Sequence, residues 1–262
     1  MAQNRIFSTD NSKALKADKF GYLNAIHYLA PASSGGAGNL CSHASPGCIA
    51  LCLGWYSGQA GMVKDLEHGS NSVRKSRVQK AQRFMHDRAR YLLDLVRELD
   101  GLERKARAWR KQMCVRLNGS SDIGWEGIRF AIERDTKGRA SKVTLGSDKT
   151  VFDHYADTQF VDYTKNPRRF DRKLPANYWL TFSHSEINEA DCLKLLARGF
   201  NVAVAFDHMP LSWNGHIVVD GDKHDLRHLD PRAEDGAPGY VIRLVPRGRK
   251  AKRDQSGFVV RQ

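Results

Sequence analysis

The chain has 262 residues, with 42 Lys+Arg against 29 Asp+Glu and a formal charge of +13. At 41% hydrophobic residues it is too apolar for a disordered chain, and it is long enough to bury a core without a disulfide framework. No run of 18 apolar residues marks a membrane-spanning helix, and the N-terminus lacks an apolar secretory core; five cysteines then fit a reducing cytoplasm.

Taken in chain order, residues 1–20 are polar and read as a loosely ordered N-terminus. Residues 22–29 (YLNAIHYL) read as a first strand, followed by a Gly/Ser-rich loop to Asn39 and a cysteine block. Residues 72–111 carry apolar side chains at helical spacing, with a break expected near Asp100-Gly101. Residues 113–117 read as a strand and 125–134 as a short helix. Strands are expected at 158–163, 178–182, 200–206, 216–219 and 239–244, with a helix at 185–198 stopped by Gly199. Strands separated by helical or irregular segments predict an α/β fold with a mainly parallel sheet, as a complete or partial (β/α) barrel. The expected layout is one catalytic domain over 21–245 and a basic tail over 246–262.

The positive charge is localised. Residues 70–112 hold thirteen bases against five acids, and residues 241–262 hold seven against one. The first segment predicts a nucleic-acid-binding face from Arg74, Lys75, Arg77, Lys80 and Arg83, with Lys165 joining it from a strand end; DNA is the expected partner.

Cys41, Cys48 and Cys52 have the spacing C-x6-C-x3-C, so three of five cysteines lie within twelve residues. Soft thiolates in that density predict a metal, zinc or a [4Fe-4S] cluster, and one helical turn would put Cys48 and Cys52 on one face. The fourth ligand is open among Cys114, His43, His27 and an exogenous group. Carboxylates gather where strands are expected to end: Asp122 after Gly-Ser-Ser, Glu126 four residues on, Asp207 after the most apolar strand, and Asp162. Base exchange on a nucleotide needs such a carboxylate at the anomeric carbon and a second acid to handle the leaving base. Nothing matches a Walker loop, a dinucleotide-binding glycine fingerprint or a G-x-S-x-G elbow.

The blocks CSHASPGCIALC (41–52), RLNGSSDIGWE (116–126), FVDYTK (160–165) and VVDGDKHDLRHLDP (218–231) resemble a phage-encoded family marked by an N-terminal three-cysteine block. The likeness spans roughly residues 20–245 and implies a protein acting in the host cytoplasm. A cysteine triplet straight after a first strand is also similar to the cluster loop of radical S-adenosylmethionine enzymes, although their C-x3-C-x2-C spacing is absent. The DNA context brings in phage DNA guanine transglycosylases, relatives of tRNA-guanine transglycosylase. That likeness implies a metal-containing barrel exchanging guanine for a 7-deazaguanine, with a modified purine as co-substrate. The expectation is therefore a DNA-modifying transglycosylase. Radical S-adenosylmethionine chemistry, or a non-catalytic DNA-binding protein with a structural metal, stands beside it.

Overall fold

The computed structural model describes residues 5–261. The chain opens with strand β1 (Phe7–Ser8), helix α1 (Ser12–Asp18) and strand β2 (Tyr22–His27). A long crossover follows: two short helices, α2 (Pro46–Ala50) and α3 (Leu53–Tyr56), then α4 (Ser72–His86) and α5 (Arg88–Ala108). Strand β3 (Gln112–Arg116) leads to a hairpin of β4 (Arg129–Arg134) and β5 (Ala140–Thr150), then to α6 (Val151–His154). Next come β6 (Gln159–Thr164), β7 (Tyr178–Ser183), α7 (Glu189–Ala197), β8 (Val202–Phe206), β9 (Ser212–Trp213), β10 (His216–Asp220), β11 (Val241–Leu244) and β12 (Val259–Val260).

Ten strands form one mixed, mostly parallel sheet in the order β1-β2-β3-β6-β7-β8-β11-β10-β9, with β12 also pairing with β8. The expected barrel is not formed. The sheet is open, with the two-residue strands β1 and β9 at its edges, each antiparallel to its neighbour. The physical reason lies in the connections. A barrel needs a helix after each strand to wrap the outside, but β6 reaches β7 through only a 3-10 turn at Pro167–Asp171. Past β8 the strand order also reverses, since β11 inserts between β8 and β10.

Helix α5 supplies the largest apolar stripe. Tyr91, Leu92, Leu95, Val96, Leu99, Leu102 and Ala106 recur at helical spacing and pack with Leu23, Val115 and Phe160 of the sheet. Each such leucine contributes about 1.5–3 kcal/mol by leaving water. The helical break falls at Asp87, which ends α4 and caps α5 by accepting from the Arg90 N–H. Gly101 lies inside α5. The opposite face of the sheet carries a smaller cluster of Ala17, Cys114, Val161 and Leu226 with Tyr22 and Trp179.

Residues 125–134, expected as a helix, are a 3-10 turn followed by β4. The β4–β5 hairpin buries Phe130 and Val143 on one side and exposes its charges on the other. The expected loose start falls partly on residues 1–4, which like Gln262 lie outside the described residues. From Ile6 onward the chain is tied down: Glu98 on α5 accepts from the N–H groups of Ile6 and Phe7 at 2.7 and 2.9 Å. The basic tail also returns to the sheet. Strand β12 pairs with β8 at Ala205 and Phe206, beyond the point where β7 leaves it after Ser183.

Candidate functional site

The carboxyl edge of the parallel strands collects the loops after β2, β3, β6 and β7. Three of the four sequence blocks, 41–52, 116–126 and 160–165, meet there. The cysteine loop leaves β2 and enters α2 through Ser45, whose hydroxyl accepts from the Cys48 N–H at 3.1 Å. Glu186, from the loop after β7, clamps this start: it accepts from Ser45 Oγ and from the Gly47 N–H, both at 2.7 Å. Gly47 leaves room for this clamp, because a Cβ there would lie 2.7 Å from the Glu186 carboxylate and push it aside. Gly54 has the same function on the next turn, where a Cβ would fall 2.1 Å from Cβ of Ser120. The cysteine loop is thus pressed onto the loop after β3.

Cys41, Cys48 and Cys52 line one cavity of about 50 Å³ together with Pro31, Ala32 and Trp55. Helix α2 ends at Ala50, so Cys48 and Cys52 do not share one continuous helical turn, yet the loop still turns both toward that cavity. Burial pushes Cys41 up to about 11 and Cys52 up to about 12. Burial raises Cys48 too, while neighbouring Lys165 pulls it down. The Ala32 N–H donates to Cys41 Sγ at 3.3 Å. Of the possible fourth ligands, Cys114 lies on the opposite face of the sheet and His43 bonds to Ser42. Both nitrogens of His27 are engaged: Nδ1 donates to the Leu117 carbonyl, so Nε2 accepts from Tyr91 OH. Among the described residues, no three His, Cys, Asp or Glu side chains stand in a preformed coordination geometry.

Beside the thiols lies a buried ionic network. Asp122 Oδ2 accepts from the Lys165 backbone N–H at 2.8 Å, and Asp122 Oδ1 pairs with Arg169 at 3.1 Å. Arg169 also grips Glu126 through two bonds, at 2.8 and 2.7 Å, and donates to Tyr178 OH. Tyr178 OH in turn donates to Asp162 Oδ2 at 3.0 Å, and Asn118 donates to both Asp162 oxygens. Lys165 Nζ donates to Ser183 Oγ at 2.7 Å and to the His184 carbonyl at 3.1 Å. Three of the four expected carboxylates, Asp122, Glu126 and Asp162, therefore belong to one network. Asp207 does not. It sits at the surface on His208 and Arg261, and those partners hold its carboxyl low.

The polar residues expected at strand ends include Asn118 and Glu186, whereas Arg169 and Tyr178 are not singled out by the sequence. Their one local signal is Asn166-Pro167, a cap and a first-turn proline that mark the turn carrying Arg169.

Burial pushes Asp162 up to about 7, against the opposing pull of Asn118, Arg116 and Arg169. An unfolded aspartate titrates near ~4. The folded state therefore holds a proton that the unfolded state lacks between about pH 4 and 7, and this group's contribution to stability is lost as pH rises through about 7. His27 and His184 act oppositely: burial pushes them down to about 3 and about 4, so they cost stability as pH falls below ~6.5. Asp162→Asn removes the compensating group. The urea midpoint is expected to fall more steeply from pH 6.5 to 4 in this variant than in wild type. An unchanged slope would mean that Asp162 stays ionised throughout.

The predicted nucleic-acid face is largely used inside the fold. Arg74 is 1% exposed and spends its guanidinium on the carbonyls of Ala60, Gly69, Trp55 and Leu66. Arg77 bonds the Gly54 carbonyl and stacks on Tyr28. Lys80 is buried against the Ile6 carbonyl, and Arg83 pairs with Asp94. Lys75 alone of the five on α4 is exposed.

No described helix is long and apolar enough to cross a membrane. No curated protein and no solved structure matches the chain, and the likenesses to transglycosylases and to radical S-adenosylmethionine enzymes find no support there. The family comparison does match, over residues 5–262. The chain belongs to the Gene product 88 (GP88) family.

Proposed function

We propose that this chain is a nucleic-acid-modifying enzyme centred on a metal or iron–sulfur cluster held by Cys41, Cys48 and Cys52. One observation carries the reading: three thiols from one loop line one cavity at the carboxyl edge of a parallel sheet, against Asp122, Lys165 and Glu186. Open α/β sheets place ligands at this edge. The donor set fits a soft cation. Protonated thiols with raised pKa values are what burial produces without a counter-cation, and a bound cation reverses that preference. The three thiols are not preformed for coordination, so uptake would require the loop to rearrange. When bound, such a group supplies Lewis-acid or electron-transfer chemistry.

The chain's own residues do the rest. Glu186 and Ser45 fix the turn bearing Cys48. Lys165, held by Ser183 and His184, places a positive charge beside that thiol. Arg169 locks Asp122 and Glu126 into the wall behind it. Exchange of guanine for a 7-deazaguanine through Asp122 is the narrower reading. It requires Asp122 to leave Arg169 and the Lys165 N–H, so the thiols carry more of the argument than the carboxylate.

The test is metal analysis and a visible spectrum of the full chain purified without oxygen. Zinc at about one per chain, or iron with a broad band near ~400 nm, is the expected result. Iron would make S-adenosylmethionine the co-substrate to try first. Protein that carries neither metal and takes up neither on reconstitution would overturn the proposal.

A further inference from the structure

The edge of the sheet opposite the cysteines holds a broad, open depression of about 750 Å³, lined by Phe20, Tyr22, Arg107, Arg110, Lys111 and Leu229. Helix α5 ends on its rim. Residues 104–111 (RKARAWRK) hold five bases and no acid. Trp109, on the same turn, is 52% exposed, with the ammonium groups of Lys105 and Lys111 at 4.3 and 5.0 Å from its ring centre. Phe20 is 45% exposed. Bases alone would be explained by the helix dipole, which favours cations in a last turn. The dipole does not explain two exposed aromatic rings beside them.

The backbone adds an independent sign. The helix closes in a Schellman motif, with Lys111 N–H on the Ala106 carbonyl and Arg110 N–H on the Arg107 carbonyl. The residue after the cap in this motif is left-handed, which favours glycine. Here it is Arg110, at φ +52°. An arginine in the left-handed region, where glycine would fit without strain, points to use of its side chain. Among the described residues Arg110 has no ion pair, whereas Arg107 pairs with Glu103 and Lys111 with Asp18.

We propose that this depression docks single-stranded nucleic acid, with Arg110 on a phosphate and Trp109 and Phe20 against unstacked bases. Aromatic faces reward bases out of the stack, which a duplex does not present. The strands separate this depression from the cysteines by roughly 20 Å, so it would anchor substrate outside the reacting nucleotide. The inference rests on the nucleic-acid half of the proposed function and is independent of the metal.

The experiment is fluorescence anisotropy of the full chain with a labelled oligo-dT of about 20 nucleotides and with a duplex of equal length, across salt. Wild type is expected to prefer the single strand. Trp109→Ala should weaken it about tenfold. Arg110→Gly relieves the backbone strain, so its melting temperature should hold or rise while the single-strand salt slope falls by about 0.7. Anisotropy reads binding without any metal, so a failed metal assay and a failed docking site are told apart. Equal or better duplex binding, wild-type affinity in both Trp109→Ala and Arg110→Gly, or preferential capture by phosphatidylserine vesicles through these residues would overturn the proposal.

Discussion

Replacing Arg169 by methionine is expected to lower the melting temperature by about 10 °C. The side chain is 6% exposed and is the shared cation for Asp122 and Glu126, which are 11% and 20% exposed. Removing it leaves two carboxylates in a low-dielectric wall with no guanidinium to answer them. Breaking a buried pair in this way costs about 3–5 kcal/mol, and each kcal/mol moves the midpoint of a domain this size by about 2–4 °C. Arg169→Lys keeps the charge but loses the fork that grips Glu126, so it should fall between the two. The exposed pair Arg198–Asp171 is the control, and Arg198→Met should shift the midpoint by no more than about 2 °C. Calorimetry of the three variants decides the matter. An Arg169→Met protein that melts with the control would show that the network is not held by charge.

Cys48→Ser is expected to fold and to lose metal affinity by about 100-fold or more, since even residues one step removed from a metal ligand cost 10–100-fold. Folding should survive because the local structure does not depend on sulfur. Ser45 still caps α2, and Glu186 still clamps Ser45 and Gly47. Cys114→Ser and Cys192→Ser make the contrast. Cys114 packs with Ala17, Val161 and Leu226 on the far face, and Cys192 is buried in α7. Both should retain metal if they fold. Metal retained by Cys48→Ser, or lost selectively from a folded Cys114→Ser, would place the ligands elsewhere.

The strands that carry the site were readable because they are short apolar runs bounded by polar turns, as at Val202–Phe206 and Tyr178–Ser183. The cysteine cavity was readable because its three thiols are close in sequence. The Arg169 clamp was not, because its partners lie 43 and 47 residues away and only tertiary packing brings them together. Linear charge misled in a different way. Counting bases on α4 could not show that Arg74 and Lys80 turn inward to satisfy loop carbonyls, which is how a long cationic side chain becomes a structural strut. The hairpin was missed because Phe130 and Val143 bury only one of its sides and charges fill the other, blurring the alternation. The open sheet could not be told from a barrel because strand count and order along the chain are compatible with both, whereas closure depends on what covers each strand.

Strand β12 sets an order of assembly. Strands β2, β3, β6 and β7 add side by side as they are made, each on an edge already present. The upper half of β8 is different: its backbone partners on the β7 side are Val259 and Val260, almost the last residues described. During synthesis that stretch of Ala205 and Phe206 waits with open hydrogen-bonding groups, next to the loops that bear Lys165 and His184, until the chain has been made past residue 260. Domains are built from the N-terminus as they emerge, so the rim of the proposed centre becomes a finished surface only after the strands before it have paired.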